Sequence, residues 1–240
     1  MLTKSQAAVL PRRFHKSAAA GAVEGGFGVL LDGRPVRTPA AEPYVLPTLV
    51  LAQMSAAEWD AQGERIAFAD MPITRLAFTA IDGVRRAHEA VAEEAARFAG
   101  SDVLCYFAEA PEALVAREQA AWRPWLAWAS EALDLHLIPV TGVLHQDQPE
   151  ASLGRARALA AAMDDFRLTG LAAAAGLFGS TVLAMALERG ELDGPAAFAL
   201  SRLDELFQEE LWGVDDEAAV RTARLAIEAE ALDRWFKALG

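Results

Sequence analysis

With 240 residues, 53% hydrophobic and 23% charged, the chain is long enough to bury a sizeable core, which excludes the disordered and fibrous classes. The formal net charge of −12 argues against nucleic acid or an anionic membrane as a partner, because both are bound through basic surface. Cys105 is the single cysteine, so neither an internal disulfide nor a thiolate metal cluster can form, and a reducing compartment is expected.

The first fifth of the chain has the pattern of a small antiparallel sheet. Residues 13–47 contain short apolar runs separated by glycine pairs and prolines. Asp32-Gly33 separates the segments FGVLL and RPVRT, and this dipeptide is typical of a two-residue type I′ hairpin turn, which requires positive φ. The sequence therefore predicts an N-terminal β-sheet region over residues 1–47.

Helical patterns follow the predicted sheet. Thr48 is expected to cap a helix that ends near Gln62, and Pro72 to begin a helical stretch that ends at Gly100. The periodicity predicts further helices from Pro111, from Pro149, and over 166–189, 195–212 and 215–239, with extended segments at 102–107 and 136–143.

The order of these elements predicts the fold class. Strands and helices are segregated along the chain and do not alternate, so we predict an α+β fold with a small N-terminal antiparallel β domain (1–47) and a larger C-terminal α-helical domain (48–240). The longest apolar run, 171–187, is interrupted by glycines and is shorter than the ~20 residues that span a bilayer. A buried helix is expected there, without membrane insertion.

Motifs for catalysis or cofactor binding are missing from the sequence. It contains no phosphate-binding glycine loop and no nucleophile elbow, and its histidines lie in no metal motif, so no cofactor and no metal are predicted. Asp82 and His88 could be considered an acid–base pair, but a separation of six residues places them out of register on a helix. Solvated side chains are the better interpretation of both residues.

The segment SRLDELFQEELWG (201–213) stands out because a helix there would place a tryptophan among acids. Its apolar face, which is expected to be buried, comprises Leu203, Phe207 and Leu211, continued by Leu200. The opposite face comprises Glu205, Gln208, Glu209 and Trp212, while Asp204 and Glu210 lie at the margins. An indole beside carboxylates is typical of a surface that contacts another protein.

At this point the sequence resembles a known family, the assembly chaperones that act on the α subunit of F-type ATP synthase. The resemblance extends from Arg13-Phe14 to Trp212-Gly213. It rests on motifs that occur in the family's order and at about its spacing: LDGRPVRTP, LPTLVLAQMSAAEWDAQ, MPITRLAFTAID, SDVLCYF, Gln148-Pro149 and SRLDELFQEELWG.

The resemblance implies a non-enzymatic, ATP-independent chaperone that binds the unassembled α subunit until β subunits replace it. It also implies that the acidic helix binds this partner, with Glu205 and Glu210 as the carboxylates most sensitive to mutation. The basic leader is too short for a presequence, so a bacterial, cytoplasmic and monomeric member is expected. The residues implied in partner binding are Asp204, Glu205, Gln208, Glu210 and Trp212.

Two other functions are compatible with the residues themselves. The first is a small-molecule enzyme with a carboxylate-lined site between the sheet and the helices. The second is a permanent subunit of the synthase. A deep pocket lined by several acids and a histidine would favour the enzyme, and stoichiometric copurification with the mature synthase would favour the subunit.

Overall fold

A computed structural model describes residues 10–240, which form two compact units divided between Asp82 and Gly83. The first unit contains a three-stranded sheet and two α-helices, and the second is mainly helical. This segregation confirms the predicted α+β class.

The sheet of the first unit is antiparallel, with the strand order β1-β2-β3. Its strands are β1 (Ala18–Val23), β2 (Gly26–Leu31) and β3 (Arg34–Pro35). Asp32 and Gly33 connect β2 to β3 with φ angles of 47° and 81°. Both angles are positive, as the predicted two-residue turn requires.

The helix α1 (Leu49–Asp60) begins at the predicted cap, since the hydroxyl of Thr48 accepts a hydrogen bond from the backbone N–H of Leu51 at 3.2 Å. α1 packs on β1 and β2 and buries Leu51 and Trp59. Because α1 belongs to the packing of the sheet, the first unit extends to Asp82. The boundary between the two compact units therefore lies between Asp82 and Gly83, later in the chain than the boundary between residues 47 and 48 that the sequence predicts.

A buried polar network connects α1 to α2 (Pro72–Thr79). The carboxylate of Glu58 accepts hydrogen bonds from two backbone N–H groups in the first turn of α2, both at 2.8 Å, and from the Thr74 hydroxyl at 2.7 Å. The Ser55 hydroxyl lies 2.9 Å from that of Thr74 and 2.8 Å from that of Tyr44. Glu58 of the motif EWDAQ thus caps the helix α2, which begins in the motif MPITR.

The second unit contains the remaining α-helices and a two-stranded parallel sheet formed by β4 and β5. The π-helical turn Ala80–Val84 precedes α3, and the 3-10 turns Phe98–Ser101 and Val103–Cys105 follow it. The elements are α3 (Arg85–Arg97), β4 (Tyr106–Phe107), α4 (Glu112–Leu133), β5 (Val140–Thr141), α5 (Glu150–Ala161), α6 (Asp165–Phe178), α7 (Thr181–Glu188), α8 (Gly194–Ser201), α9 (Leu203–Trp212) and α10 (Asp216–Leu239).

Two segments that were each predicted as one helix are each divided in two. The segment 166–189 is interrupted at Gly179, whose φ of 62° ends α6, and the side chain of Ser180 then caps α7. The segment 195–212 is interrupted at Arg202, which has φ −119° and ψ 23° and separates α8 from α9. Among the described residues, no helix is both long and apolar enough to cross a bilayer.

Asp102, from the motif SDVLCYF, is fully buried between two helical starts. Its carboxylate accepts hydrogen bonds from the backbone N–H of Leu104 at 3.1 Å and from that of Val182, in the first turn of α7, at 3.0 Å. Burial raises the pKa of Asp102 to about 6, although these donors favour the ionised form. The side chain therefore satisfies backbone groups that the core closes off from water.

We expect Asp102→Ala to lower the free energy of unfolding by about 2–3 kcal/mol, because it leaves buried N–H groups without an acceptor. Urea denaturation at pH 7.5 measures this change. Asp147→Ala is the control, because the Asp147 side chain is fully exposed. Equal unfolding curves for the two variants would contradict the capping role of Asp102.

Candidate partner-binding surface

The helix α9 buries few of its side chains. Leu203 and Phe207 are buried, and both lie in its first two turns, where α9 contacts α4 and α8. The last turn buries none, so Leu211 is 57% exposed and Trp212 is 81% exposed. The prediction that Leu211 belongs to the buried face is therefore wrong.

The outward side of α9 carries polar residues without internal partners. Glu205 and Gln208 are exposed, and neither forms a hydrogen bond or ion pair with any residue in the part of the chain that the structure describes. Glu209 was also predicted to point outward, but it is half-buried and lies 3.6 Å from the guanidinium of Arg202. Two of the predicted binding residues are thus free to contact a partner.

Glu210 is held by α4. Its two carboxylate oxygens accept hydrogen bonds from the Arg117 guanidinium at 2.8 and 2.9 Å, and this guanidinium also lies 5.4 Å from the centre of the Phe207 ring. The hydrogen bonds from Arg117 lower the pKa of Glu210. Because its charge is already paired, Glu210 differs from Glu205 although both are exposed.

Asp204, which is half-buried, forms a carboxyl pair with the buried Glu118 of α4. Glu118 is fully buried, and its Oε2 accepts a hydrogen bond from the backbone N–H of Ala108 at 2.7 Å. Glu118 Oε1 and Asp204 Oδ1 are also closed off from solvent, and neither has a hydrogen-bond donor among residues 10–240. Burial, followed by the hydrogen bond with Asp204, raises the pKa of Glu118 to about 7. A proton held by Glu118 satisfies both oxygens, so Asp204 has an internal role.

The exposed end of α9 combines acidic and apolar groups. The segment 204–217 contains Asp204, Glu205, Glu209, Glu210, Asp215, Asp216 and Glu217 and no lysine or arginine. Val214, just after the helix, is 58% exposed. We call the exposed surface formed by Glu205, Gln208, Glu210, Leu211, Trp212 and Val214 the acidic tip. It presents negative charge beside apolar side chains, which suits a basic and apolar surface on a partner.

Other side chains considered for chemistry have separate partners. Asp82 accepts hydrogen bonds from the Thr38 hydroxyl at 2.6 Å and from the backbone N–H of Ala40 at 3.0 Å. His88 lies 2.9 Å from Asp165 through its Nδ1 atom. Within residues 10–240, no cluster of three His, Cys, Asp or Glu side chains has an arrangement that could hold a metal ion.

Sequence reasoning missed Arg117 and Glu118, the two α4 residues that hold α9. A signal for Glu118 is present, because it lies four residues after Leu114 and four before Trp122. An i, i+4 spacing places all three on one face of a helix, and the structure buries all three. The identity of their partners depends on packing between distant segments.

Comparison with known proteins identifies the family. The family model described as ATP12 chaperone protein matches residues 12–130. The crystal structure of Atp12 from Paracoccus denitrificans matches this chain with 41% sequence identity and a TM-score of 0.89. The match covers 96% of this chain and 99% of the Paracoccus chain. The chain belongs to the ATP12 chaperone family. The predicted membership is therefore confirmed.

Two further relatives extend the ATP12 comparison. The structure of the Atu1473 protein from Agrobacterium tumefaciens matches with 43% sequence identity and a TM-score of 0.90. The match covers 96% of this chain and 87% of the Agrobacterium chain. Protein atp12, mitochondrial, from Schizosaccharomyces pombe is 23% identical over 219 residues, which cover 86% of this chain and 75% of the relative. The acidic tip lies outside the segment that the ATP12 family model matches.

The carboxyl pair of Glu118 and Asp204 predicts a pH dependence of stability. The pKa of Glu118 rises from 4.5 to about 7 on folding, so the folded state retains the proton between these values and the chain loses stability as pH increases through this window. Glu118→Gln still offers an oxygen to Ala108 and donates an N–H to Asp204. We expect the variant to be more stable than wild type at pH 8, by about 2 kcal/mol, with a smaller difference at pH 5.

Urea denaturation at both pH values measures this difference. Glu131→Gln is the matched control, because Glu131 is exposed on the same helix. If the free energy of unfolding falls by the same amount from pH 5 to pH 8 in Glu118→Gln and in wild type, Glu118 does not share a proton with Asp204.

Proposed function

We propose that this chain is an ATP-independent, non-enzymatic chaperone that binds the unassembled α subunit of F-type ATP synthase and promotes assembly of the α/β catalytic head. Membership of the ATP12 chaperone family supports the general role. The α subunit as target comes from the motif resemblance. We further propose that the protein acts as a monomer in the bacterial cytoplasm.

The exposure of Trp212 and Glu205 along one side of α9 is the observation that carries the proposal. A subunit of a ring exposes a large interface before assembly, and such an interface is an aggregation hazard. A chaperone for it must bind apolar surface and then be displaced by the next subunit. The acidic tip suits this task, since its charges accelerate encounter and its few apolar side chains give a limited contact.

The proposed binding residues divide into two groups by their internal contacts. Glu205, Gln208 and Trp212 form the direct contact, because their side chains are exposed and none has an ion pair within the described chain. Asp204 positions α9 through Glu118. Glu210 is paired with Arg117 and contacts the partner at the edge of this surface.

Co-expression with the cognate α subunit tests the proposal. We expect wild type to keep α soluble, and Glu205→Lys or Trp212→Ala to lower the amount of α recovered with the chaperone by about fivefold or more, because charged and aromatic anchors dominate such contacts. Pull-down followed by quantitative immunoblotting measures the recovery. Glu131→Lys applies the same charge reversal at an exposed position on α4 and should bind like wild type. Equal solubility of α with and without the chaperone would refute the proposed function.

The role of Glu210 can be separated from that of its partner Arg117. We expect Glu210→Lys to weaken recovery of α, since it reverses a charge at the acidic tip and places a lysine next to Arg117. The melting temperature should remain within about 5 °C, because exposed ion pairs contribute little to stability. Differential scanning fluorimetry measures the melting temperature.

The double variant Arg117→Glu/Glu210→Lys reverses the ion pair. If Glu210 contacts α directly, this variant remains defective although the pair is restored. Full recovery of α binding would instead show that Glu210 acts only by positioning α9.

A further inference from the structure

A second surface, in the first unit, has the features of a peptide-binding pocket. The pocket has a volume of about 620 Å³ and lies against β2 and β3. Leu31, Val36 and Trp59 contribute buried side chains to its lining, whereas Phe14 is 72% exposed beside it. An exposed phenyl group at the edge of an apolar pocket offers an anchoring contact to a second molecule.

Two arginines of the LDGRPVRTP motif line the same pocket without a carboxylate partner. Arg34 forms no hydrogen bond or ion pair with any described residue, and Arg37 donates one hydrogen bond, to the backbone oxygen of Ala41 at 2.7 Å. The turn itself requires only Asp32 and Gly33, whose positive φ angles account for their presence. Neither guanidinium is paired with a carboxylate among the described residues.

The carboxylate in this pocket does not neutralise these arginines. Asp32 accepts hydrogen bonds from the backbone N–H groups of Lys16 and Ser17, at 3.1 and 3.0 Å, and from the Ser17 hydroxyl at 3.2 Å. These hydrogen bonds lower the pKa of Asp32, and the one from the backbone N–H of Ser17 has the largest effect. Asp32 therefore holds the chain before β1, and because the lining carries two guanidinium groups and one carboxylate, one positive charge remains in excess.

Two buried polar atoms at this pocket also lack hydrogen-bond partners. His15 and Trp59, both more than nine-tenths buried, line the pocket, and their rings pack edge to face with centres 5.8 Å apart. His15 Nε2 lies 3.1 Å from the backbone oxygen of Trp59 and donates to it, but His15 Nδ1 and Trp59 Nε1 have no partner among residues 10–240. Both atoms are closed off from solvent, so they lie behind the pocket surface, and the indole N–H of Trp59 can report a change in the packing of the lining.

We propose that this pocket is a docking site for a peptide segment of a partner protein that carries carboxylates next to an aromatic or aliphatic side chain. Arg34 and Arg37 bind the carboxylates, since guanidinium groups match them in charge and geometry. The apolar side chain packs against Phe14 and the pocket lining. A nucleic acid is a poor ligand because its backbone needs many basic contacts, whereas the pocket lining offers two guanidinium groups. The proposal concerns the first unit alone and does not depend on the function of α9.

Fluorescence polarisation of the full-length protein with labelled nine-residue peptide pools tests the proposal. One pool combines Asp or Glu with Phe or Leu, a second replaces the acids by lysine, and a third replaces the apolar residues by serine. We expect the first pool to bind at least tenfold more tightly than the other two, because the site requires both charge and apolar contact. Equal binding of the lysine or serine pool, or no binding of the first, would overturn the proposal.

Variants locate the binding. Arg34→Glu and Arg37→Glu should each weaken binding of the first pool by about tenfold or more. Arg12→Glu is the matched control, since Arg12 is an exposed arginine of the same unit that does not line this pocket. Saturation with the first pool should also shift the NMR resonance of the Trp59 indole N–H. An unshifted resonance, or equal losses in all three variants, would overturn the assignment of the peptide to this pocket.

Discussion

The buried side chains Leu203 and Phe207 fix α9 to its unit, and the proposed binding surface depends on how few they are. A helix that buried more of its circumference would have no exposed tryptophan to offer. The limited apolar contact is supplemented by polar ones, from Arg117 to Glu210 and from Glu118 to Asp204. The core thus holds one side of the helix and leaves Glu205, Gln208 and Trp212 free.

Features that depend on neighbouring residues could be predicted from the sequence. The turn at Asp32-Gly33 and the cap at Thr48 were correct because each is determined by local backbone conformation. The interruptions at Gly179 and Arg202 were missed, since apolar periodicity continues through both segments. Gly179 followed by Ser180 was a usable signal, because glycine ends helices and serine caps them.

The candidate site was only partly predictable, for a different reason. Trp212 and Glu205 could be placed outward from helical geometry alone. The internal roles of Asp204 and Glu210 depend on α4, which lies far away in the sequence, so no spacing rule relates them to their partners. The motifs MPITRLAFTAID and SDVLCYF serve capping and buried hydrogen bonding, so their resemblance to the family mainly reports a shared fold.

The helix α10 buries side chains only in its second half. Its buried residues all lie at 229 or beyond, where Trp235 donates a hydrogen bond to the backbone oxygen of Phe166 at 3.1 Å, whereas none of the residues 216–228 is buried. Helical turns with few buried side chains open at little free-energy cost, so we expect amide hydrogens in 216–228 to exchange with solvent much faster than those near Trp235. This first half of α10 directly follows the acidic tip, and a partner that covered it would slow the exchange.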